Sequence, residues 1–418
     1  MAIARQVVVI GGGVVGLASA WWLLEAGFRV TLLERAPTVA SAASYRNGGQ
    51  LSYRYVAPLA DEGVPKKALQ WLFERDGPFR FRPEADFRQW RWMAQFLRNC
   101  KAEANARTTA KLLQLGELSR LSLSLLELKL PLREFNWRNA GKLVVYRSEE
   151  AFKAALDKPD NDENRAVLWG RDTARIEPAL TQVASRLAGG IFNPGEAVAD
   201  CYAFCLALEK RIYAHPRFER CMHTAARTIF VEHGKVSAIE TDAGWLSADH
   251  YVLAAGIQSR DLAATANLDL PMYPLKGYSL TAPIRQDHVA PNISVTDFER
   301  KTLYARIGKE LRVAAMVDMV GESSRIDRRR IASLSRLARE TMPNAADYDK
   351  AEAWAGLRPA TPNSAPIIGA TPYPNLWLNV GHGPLGFTFA CGSASLLATL
   401  MRGKEPPFEL DCLAYKHH

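Results

Sequence analysis

The sequence predicts an α/β fold: a nucleotide-binding domain of strands and helices, split by long insertions that build a second, α+β domain on an antiparallel sheet. Three observations predict it. A glycine-punctuated strand–helix–strand unit opens the chain, a further α/β block occurs at 200–256, and a glycine-rich turn feeds an apolar helix near the C-terminus. At 418 residues, 48% of them hydrophobic, the chain is long enough for two or three domains' worth of core.

The first unit is "QVVVIGGGVVGLASAWWLLEAGFRVTLLER", a buried strand, a glycine turn, a helix and a second strand ending at Glu34 and Arg35. Gly11, Gly13 and Gly16 fit G-x-G-x-x-G, with Val14 and Val15 opening the helix. The first glycine permits the tight turn, the second lets backbone approach a pyrophosphate, and the third lets helix and strand pack closely. Glu34, at the end of the second strand, stands where an adenosine ribose would donate hydrogen bonds. This is a Rossmann-type dinucleotide site, and NAD and FAD share it.

The block at 200–256 reads as a helix ("DCYAFCLALEKRIYA"), a twisted β-region and a strand that ends in the close turn Ala254-Ala255-Gly256. Near the C-terminus, "NVGHGPLGFTFACGSA" crowds Gly381, Gly383 and Gly386 around His382, Pro384 and Leu385, ahead of a helix read from Thr388 and ended by Gly403. Glycine and proline exclude regular structure there, so this backbone comes close to a ligand and aims a helix N-terminus at it. A split nucleotide domain closed by such a turn is a flavoprotein layout. The ligand against Gly381–Gly386 is then an isoalloxazine ring, whose negative charge on reduction suits a helix N-terminus.

The insertions supply the second domain. Residues 86–128 carry helical apolar spacing, while 141–147, 274–283 and 311–321 read as strands of an antiparallel sheet that roofs the flavin. The expected division is 1–57, 199–264 and 354–418 for the FAD-binding domain, and 58–198 and 265–353 for the substrate domain.

No uninterrupted apolar run reaches eighteen residues, and no signal peptide is read at the N-terminus. The six cysteines form no C-x-x-C pair and no metal site, so reduced thiols in a cytoplasmic protein are expected. Net charge is +9; residues 66–101 hold nine Lys/Arg against four Asp/Glu, together with eight aromatics. No nucleic-acid motif accompanies them. The remaining readings are a peripheral contact with the inner face of the membrane or an acceptor-docking surface, and an ordinary amphipathic region.

Four segments, "NGGQLSYRYVAPLA" (47–60), "YPLKGYSLT" (273–281), "GLRPATPNSAPIIG" (356–369) and "LWLNVGHGPLGFTFACGS" (376–393), carry a family resemblance that runs essentially end to end. The chain resembles the D-amino-acid-oxidase-like flavoproteins, most closely the bacterial FAD-dependent D-amino-acid dehydrogenases. The resemblance implies non-covalent FAD and oxidative deamination of a D-amino acid, whose electrons pass to a quinone or other non-oxygen acceptor. It implies cofactor contacts along Ser44, Arg46, Asn47, Gly48, Gly49, Gln50 and Leu51, at Ala225, Ala255 and Gly256, and through the 381–388 turn. Relatives carry small or aromatic-then-small residues at Tyr45-Arg46, so Arg46 either favours acidic substrates or meets a FAD phosphate. A D-proline, hydroxyproline, glycine or sarcosine oxidoreductase is the alternative within the same fold.

The chemistry needs few side chains, because holding the substrate α-C–H against the flavin carries much of the rate. Arg358 in "GLRPATP" is the expected anchor for the substrate carboxylate, since a guanidinium offers two parallel donors. Tyr278 gives the carboxylate a second hydrogen bond or is a core aromatic of its strand. Tyr53 and Tyr55 line the substrate pocket or pack. His382 shapes the turn and contacts flavin or substrate, with general-base duty the lesser reading. Lys276 sits near the ring or at an exposed strand end, and Cys391 lies in the helix near the flavin without attachment.

Overall fold

The computed structural model describes residues 5–74, 76–157 and 164–416. The N-terminal unit forms as read: strand Gln6–Ile10, helix Val14–Glu25, strand Arg29–Glu34. A six-stranded sheet is built around it in the order 367–370, 376–380, 250–253, 6–10, 29–34, 218–222. Its pairs are parallel except that of Ile367–Ala370 with Leu376–Val380. The inner strands are near-continuous apolar runs because both faces are covered, whereas the edge strand Phe218–Met222 exposes Glu219 and Arg220.

The C-terminal helix spans Gly386–Met401, two residues earlier than read, and Gly403 follows it at φ +68°. Twelve of its sixteen residues are buried. It packs against Val14–Glu25 and Ala102–Glu127, so its length and apolarity serve a core position.

A nine-stranded sheet covers the other side. Eight strands run in the order 352–360, 273–283, 310–319, 302–307, 294–297, 142–146, 189–193, 166–169, and Phe79–Phe81 pairs beside Glu310–Met319. Its pairs are antiparallel apart from two, Ser294–Asp297 with Lys142–Tyr146 and Phe79–Phe81 with Glu310–Met319. One face carries Tyr278, Leu280, Val295, Tyr304, Leu311 and Val313, and packs against Leu334, Leu337 and Ala338 of helix Arg328–Thr341. Alternation turns Gly277, Ser279, Thr281, Arg312 and Ser294 to the opposite face. That polar face receives residues 46–50, through Ser279, Arg312 and Ser294.

Two segments sit differently from the expected division. Helix Ala102–Glu127 buries Leu112, Leu115, Leu123 and Leu126 in the same cluster as Leu17, Leu24 and Leu396, the core of the nucleotide-binding side. Strand Glu352–Ala360, with Arg358, belongs to the nine-stranded sheet. The 86–128 helix is two helices, Phe87–Asn99 and Ala102–Glu127.

Residues 66–101 are less free than their charge implies. Arg80 pairs with Asp318 and Asp327, Arg82 with Glu84, Arg88 with Asp261 and Arg91 with Asp269; Arg75 lies outside the described residues. Trp92 is buried and donates to the Ala360 carbonyl at 2.8 Å, whereas Phe87, Trp90 and Leu97 are exposed.

Candidate active site

The three N-terminal glycines divide their work. Gly11 has φ +111°, and a Cβ there would lie 2.6 Å from the Ala254 carbonyl oxygen, so the turn closes on the 254–255 backbone. A Cβ on Gly16 would overlap the Gly11 carbonyl oxygen, which is the helix–strand contact. A Cβ on Gly13 would meet only Ser44 Oγ, at 3.5 Å. Gly13 is therefore the glycine open to a ligand. The helix it starts has no side-chain cap and no acidic residue in its first turn. Buried Ser44 accepts from Val14 N at 3.0 Å, and Val15 follows in the same turn.

Glu34 is pinned by two backbone donors, Gly12 N at 2.6 Å and Ala36 N at 2.8 Å. An ionised carboxylate accepts about four hydrogen bonds, so lone pairs remain for a diol. Arg35 beside it is exposed. Ala225 N–H donates to Asp242 at 2.8 Å, and the Ala225 carbonyl accepts from Asp242 N at 3.2 Å. Ala255 N is held by Ser259 Oγ at 2.9 Å, and Gly256 stands in open space at φ +59°.

Segment 46–52 threads along the polar face of the nine-stranded sheet. Ser279 Oγ donates to the Arg46 carbonyl at 2.7 Å, and Arg312 Nη1 to the Asn47 carbonyl at 2.7 Å. Leu303 fills the space beside Gly48, and Ile307 that beside Gly49, which stands at φ +64°. Lys142 Nζ donates to Gln50 Oε1 and Ser52 Oγ, each at 2.9 Å. Leu51 turns its side chain into the core, so only its backbone is left for a ligand. Thr388 Oγ1 accepts from Ser52 N at 3.1 Å and donates to the Gln50 carbonyl at 3.4 Å, joining this segment to the C-terminal helix. The Arg46 guanidinium pairs through Nη2 with Glu352 at 2.6 Å.

The 381–386 turn takes the left-handed backbone that its glycines permit. Gly381 and Gly383 stand at φ +79° and +53°, and a Cβ on Gly381 would lie 2.7 Å from Thr361 Cγ2. Pro384 and Leu385 lie in the short 3₁₀ turn before Gly386, and Leu385 N donates to the His382 carbonyl at 3.0 Å. The helix beyond has no side-chain cap and no acidic first-turn residue. His382 is 3% exposed, faces Ser393 Oγ at 3.1 Å, and is held by burial down to about pKa 3. It is neutral at physiological pH, and its hydrogen bond runs into the helix, which is the turn-shaping role.

Arg358 points to the same region, because Ala360 bridges to His382 across the backbone. Its Nη1 donates to the Met316 carbonyl at 2.8 Å. Met316 has φ +73°, beside a register shift in the pairing of Tyr273–Pro283 with Glu310–Met319, so strained backbone aims that carbonyl. Burial pushes the guanidinium down to about 10, against a partial upward pull from Asp318; it stays charged at neutral pH. Among the described residues Arg358 makes no ion pair. It is a deeply placed cation with part of its surface still accessible, as in a residue lining a recess.

Several candidates lie elsewhere. Tyr278 donates to Asp318 at 3.0 Å on the face opposite Arg358 and Gly277, so it is the core aromatic rather than a carboxylate ligand. Lys276 shares that face; it is buried and donates to the Arg325 carbonyl at 2.9 Å, neither near the turn nor exposed. Tyr53 is buried in the core, while Tyr55 keeps 41% of its surface although its surroundings push its phenol up to about 12. Tyr55 is the one of the pair that keeps surface accessible to a ligand. Cys391 is buried and its thiol is pushed up to about 12, so it stays protonated. Among the described residues no acidic, Cys and His cluster suits a metal.

Sequence reading missed Ser279, Arg312, Lys142 and Met316. Its one available signal was alternation: Arg312 and Ala314 stand out of phase with Leu311, Val313 and Ala315. An open Gly13, two helix N-termini whose own N-cap residues give no side-chain cap, and a pinned Glu34 with spare lone pairs fit a dinucleotide that carries a ring to the 381–388 turn.

The comparisons decide which. Residues 6–400 match the FAD dependent oxidoreductase family. The chain belongs to that family. D-amino acid dehydrogenase 2 of Pseudomonas aeruginosa is 48% identical over 405 residues, covering 97% of this chain and 96% of that protein. D-amino acid dehydrogenase of Agrobacterium fabrum is 36% identical, covering 99% of each. Among solved structures, glycine oxidase from Geobacillus kaustophilus superposes with a TM-score of 0.74 at 20% identity, covering 99% of this chain and all of that one. L-proline dehydrogenase from P. horikoshii gives 0.75 at 16%, covering 99% and 97%. These two show a shared fold. In this FAD-dependent oxidoreductase, the 11–16, 34 and 44–51 segments and the 381–388 turn have the geometry that fits such a cofactor.

Proposed function

We propose that this enzyme oxidatively deaminates D-amino acids to 2-oxo acids and ammonia and passes the electrons to a quinone or other non-oxygen acceptor. The observation that carries the reading is Arg358, a deep guanidinium with no ion-pair partner among the described residues, set beside the 381–386 turn. A buried cation of this kind calls for an anion, and a carboxylate accepts two parallel donors from it. The names of the full-length relatives supply the substrate class.

FAD, when bound, accepts the hydride from the substrate α-carbon. The chain's own part is orientation. Arg358 fixes the carboxylate, the Met316 carbonyl fixes Arg358, and the polar backbone at 381–383 receives the amine. Neutral His382 contributes shape rather than proton transfer. With carboxylate, amine and α-hydrogen assigned, one direction is left for the side chain, and handedness follows. The imino acid hydrolyses with water. FAD is held without a covalent bond, in keeping with the protonated Cys391. The enzyme works in the cytoplasm, with 66–101 as its contact to the inner face of the membrane.

The test is a product and acceptor assay. Purified enzyme given D-alanine and a soluble quinone should form pyruvate, ammonia and reduced quinone in equal amounts, with little oxygen uptake. Turnover that consumes oxygen as fast as quinone would refute the acceptor, and absence of 2-oxo acid from any D-amino acid would refute the reaction.

A further inference from the structure

Lys142 is a lysine with 2% exposure that makes no ion pair among the described residues. Its ammonium donates to Gln50 Oε1 and Ser52 Oγ and lies 4.3 Å from the centre of the Tyr55 ring. Gln50 is fixed in turn by its amide nitrogen on Ser294 Oγ. Glu196 is close enough to be felt but does not pair with it. Its Oε1 accepts from Arg54 N at 2.8 Å, and its carboxyl is raised above the usual range by burial. A buried charge is costly to keep, so its survival calls for an explanation beyond packing.

The position supplies one. The backbone of residues 50–52 is tied to Thr388, in the first turn of the helix that receives the ring of the cofactor. We propose that Lys142 is a positioning residue whose fixed positive charge, held at the Gln50–Ser52 junction, favours the reduced cofactor over the oxidised one. The argument is electrostatic. A hydride carries two electrons and one proton from the substrate carbon, so the ring system gains one negative charge as the substrate becomes the imino acid. A cation hydrogen-bonded to both Gln50 and Ser52, shielded from water, stabilises that charge far more than one in solvent. It adds to the helix N-terminus and requires no movement.

The inference rests on the cofactor lying against the 381–388 turn and is independent of substrate identity. The experiment uses the flavin-loaded enzyme, with flavin content measured separately from redox behaviour. Lys142→Met should keep stoichiometric FAD yet shift the oxidised-to-reduced equilibrium about tenfold toward oxidised, about 30 mV for a two-electron couple. Its affinity for sulfite, which adds to the flavin and leaves a negative ring, should weaken about tenfold. Lys142→Arg should restore both to within about threefold, as a structural filler would not. Wild-type potential and sulfite affinity in Lys142→Met would overturn the proposal.

If Lys142→Met does not accumulate with flavin, the wild type decides. Burial pushes Lys142 down to about 8, whereas Tyr55 is held up at about 12 and Tyr146 is raised; burial also raises the Glu196 carboxyl, against the pull of Lys142 and of backbone donors. Sulfite affinity, corrected for sulfite's own ionisation, should therefore fall with loss of one proton between about pH 7 and 9.5. A flat profile would overturn the proposal.

Discussion

The guanidinium of Arg358 lies directly against the bare backbone of Gly277: a Cβ there would overlap its Cζ, Nη1 and Nη2. The two residues are on neighbouring strands, with Leu275 opposite Arg358 and Gly356 opposite Gly277. Glycine at 277 therefore sets where the Arg358 guanidinium, the proposed substrate anchor, rests. Gly277→Ala should push the guanidinium off the Met316 carbonyl without touching the cofactor segments. The expected outcome is a KM about tenfold to a hundredfold higher with unchanged flavin content, a loss of about 1.4–3 kcal/mol in substrate binding. Steady-state kinetics beside the flavin spectrum check it; unchanged KM would show that the anchor is elsewhere.

Gly13 and Gly16 belong to one motif but should respond oppositely to alanine. Gly16→Ala drives a methyl into the Gly11 carbonyl, rigid backbone on both sides, and should cost about 3 kcal/mol of stability or more. Gly13 already has φ −75° and ψ 177°, which alanine adopts freely. Gly13→Ala should fold normally and bind FAD at least about tenfold more weakly, because the methyl occupies the ligand side of the turn. Denaturation of the apoprotein and flavin titration separate the two; a Gly13→Ala variant with wild-type FAD affinity would contradict the assignment.

His382 gives the protein a pH-dependent stability. Its folded pKa is held at about 3, while an unfolded histidine titrates at about 6.5. Between those values the unfolded chain binds a proton that the folded chain refuses. Stability from this site is fully present above about 6.5 and falls by about 1.4 kcal/mol per pH unit below it. His382→Gln removes the titration while an amide still reaches Ser393. With saturating FAD, wild type should lose about 2 kcal/mol more than the variant between pH 6.5 and 5. Equal losses in urea titrations at the two pH values would show that the imidazole is not held neutral.

The membrane contact of 66–101 rests on fewer free charges than the sequence implied. Arg80, Arg82, Arg88 and Arg91 are paired, so reversing them would disturb folding as well as charge. Lys66, Lys67, Arg98 and Lys101 are exposed, near exposed Phe87, Trp90 and Leu97. Reversing those four should abolish salt-sensitive sedimentation with anionic vesicles, since each contributes about 1 kcal/mol near such a surface. Equal sedimentation of both proteins would end the idea.

The nucleotide-binding half was legible because its signals are local. Gly11, Gly13, Gly16 and Glu34 lie within twenty-four residues, and one strand–helix–strand unit gives them their meaning. The Gly381–Gly386 turn was legible for the same reason. Arg358 was found through the resemblance, since an arginine before a proline has no local signature of its own. What escaped was set by sheet register. Tyr278 was left open between carboxylate ligand and core aromatic because its face depends on how Tyr273–Pro283 pairs with Glu310–Met319, which no local pattern states. Lys142 and Arg312 meet residues 47–52 across more than ninety positions of sequence, and each looked like an ordinary strand residue. Likewise, the long helix 102–127 was assigned by chain position, whereas its leucines pack on the nucleotide side.

The most direct measurement of the central claim is anaerobic flavin reduction by paired D- and L-enantiomers in wild type, Arg358→Ala and Arg358→Lys. Removing one member of a desolvated charge pair costs about 3–5 kcal/mol. The expected result is bleaching of wild type by D-enantiomers alone, with kcat/KM about two to four orders of magnitude lower in Arg358→Ala and partial recovery in Arg358→Lys, all three holding FAD. Arg358→Ala reduced as fast as wild type, or a wild type that prefers L-enantiomers, would contradict it.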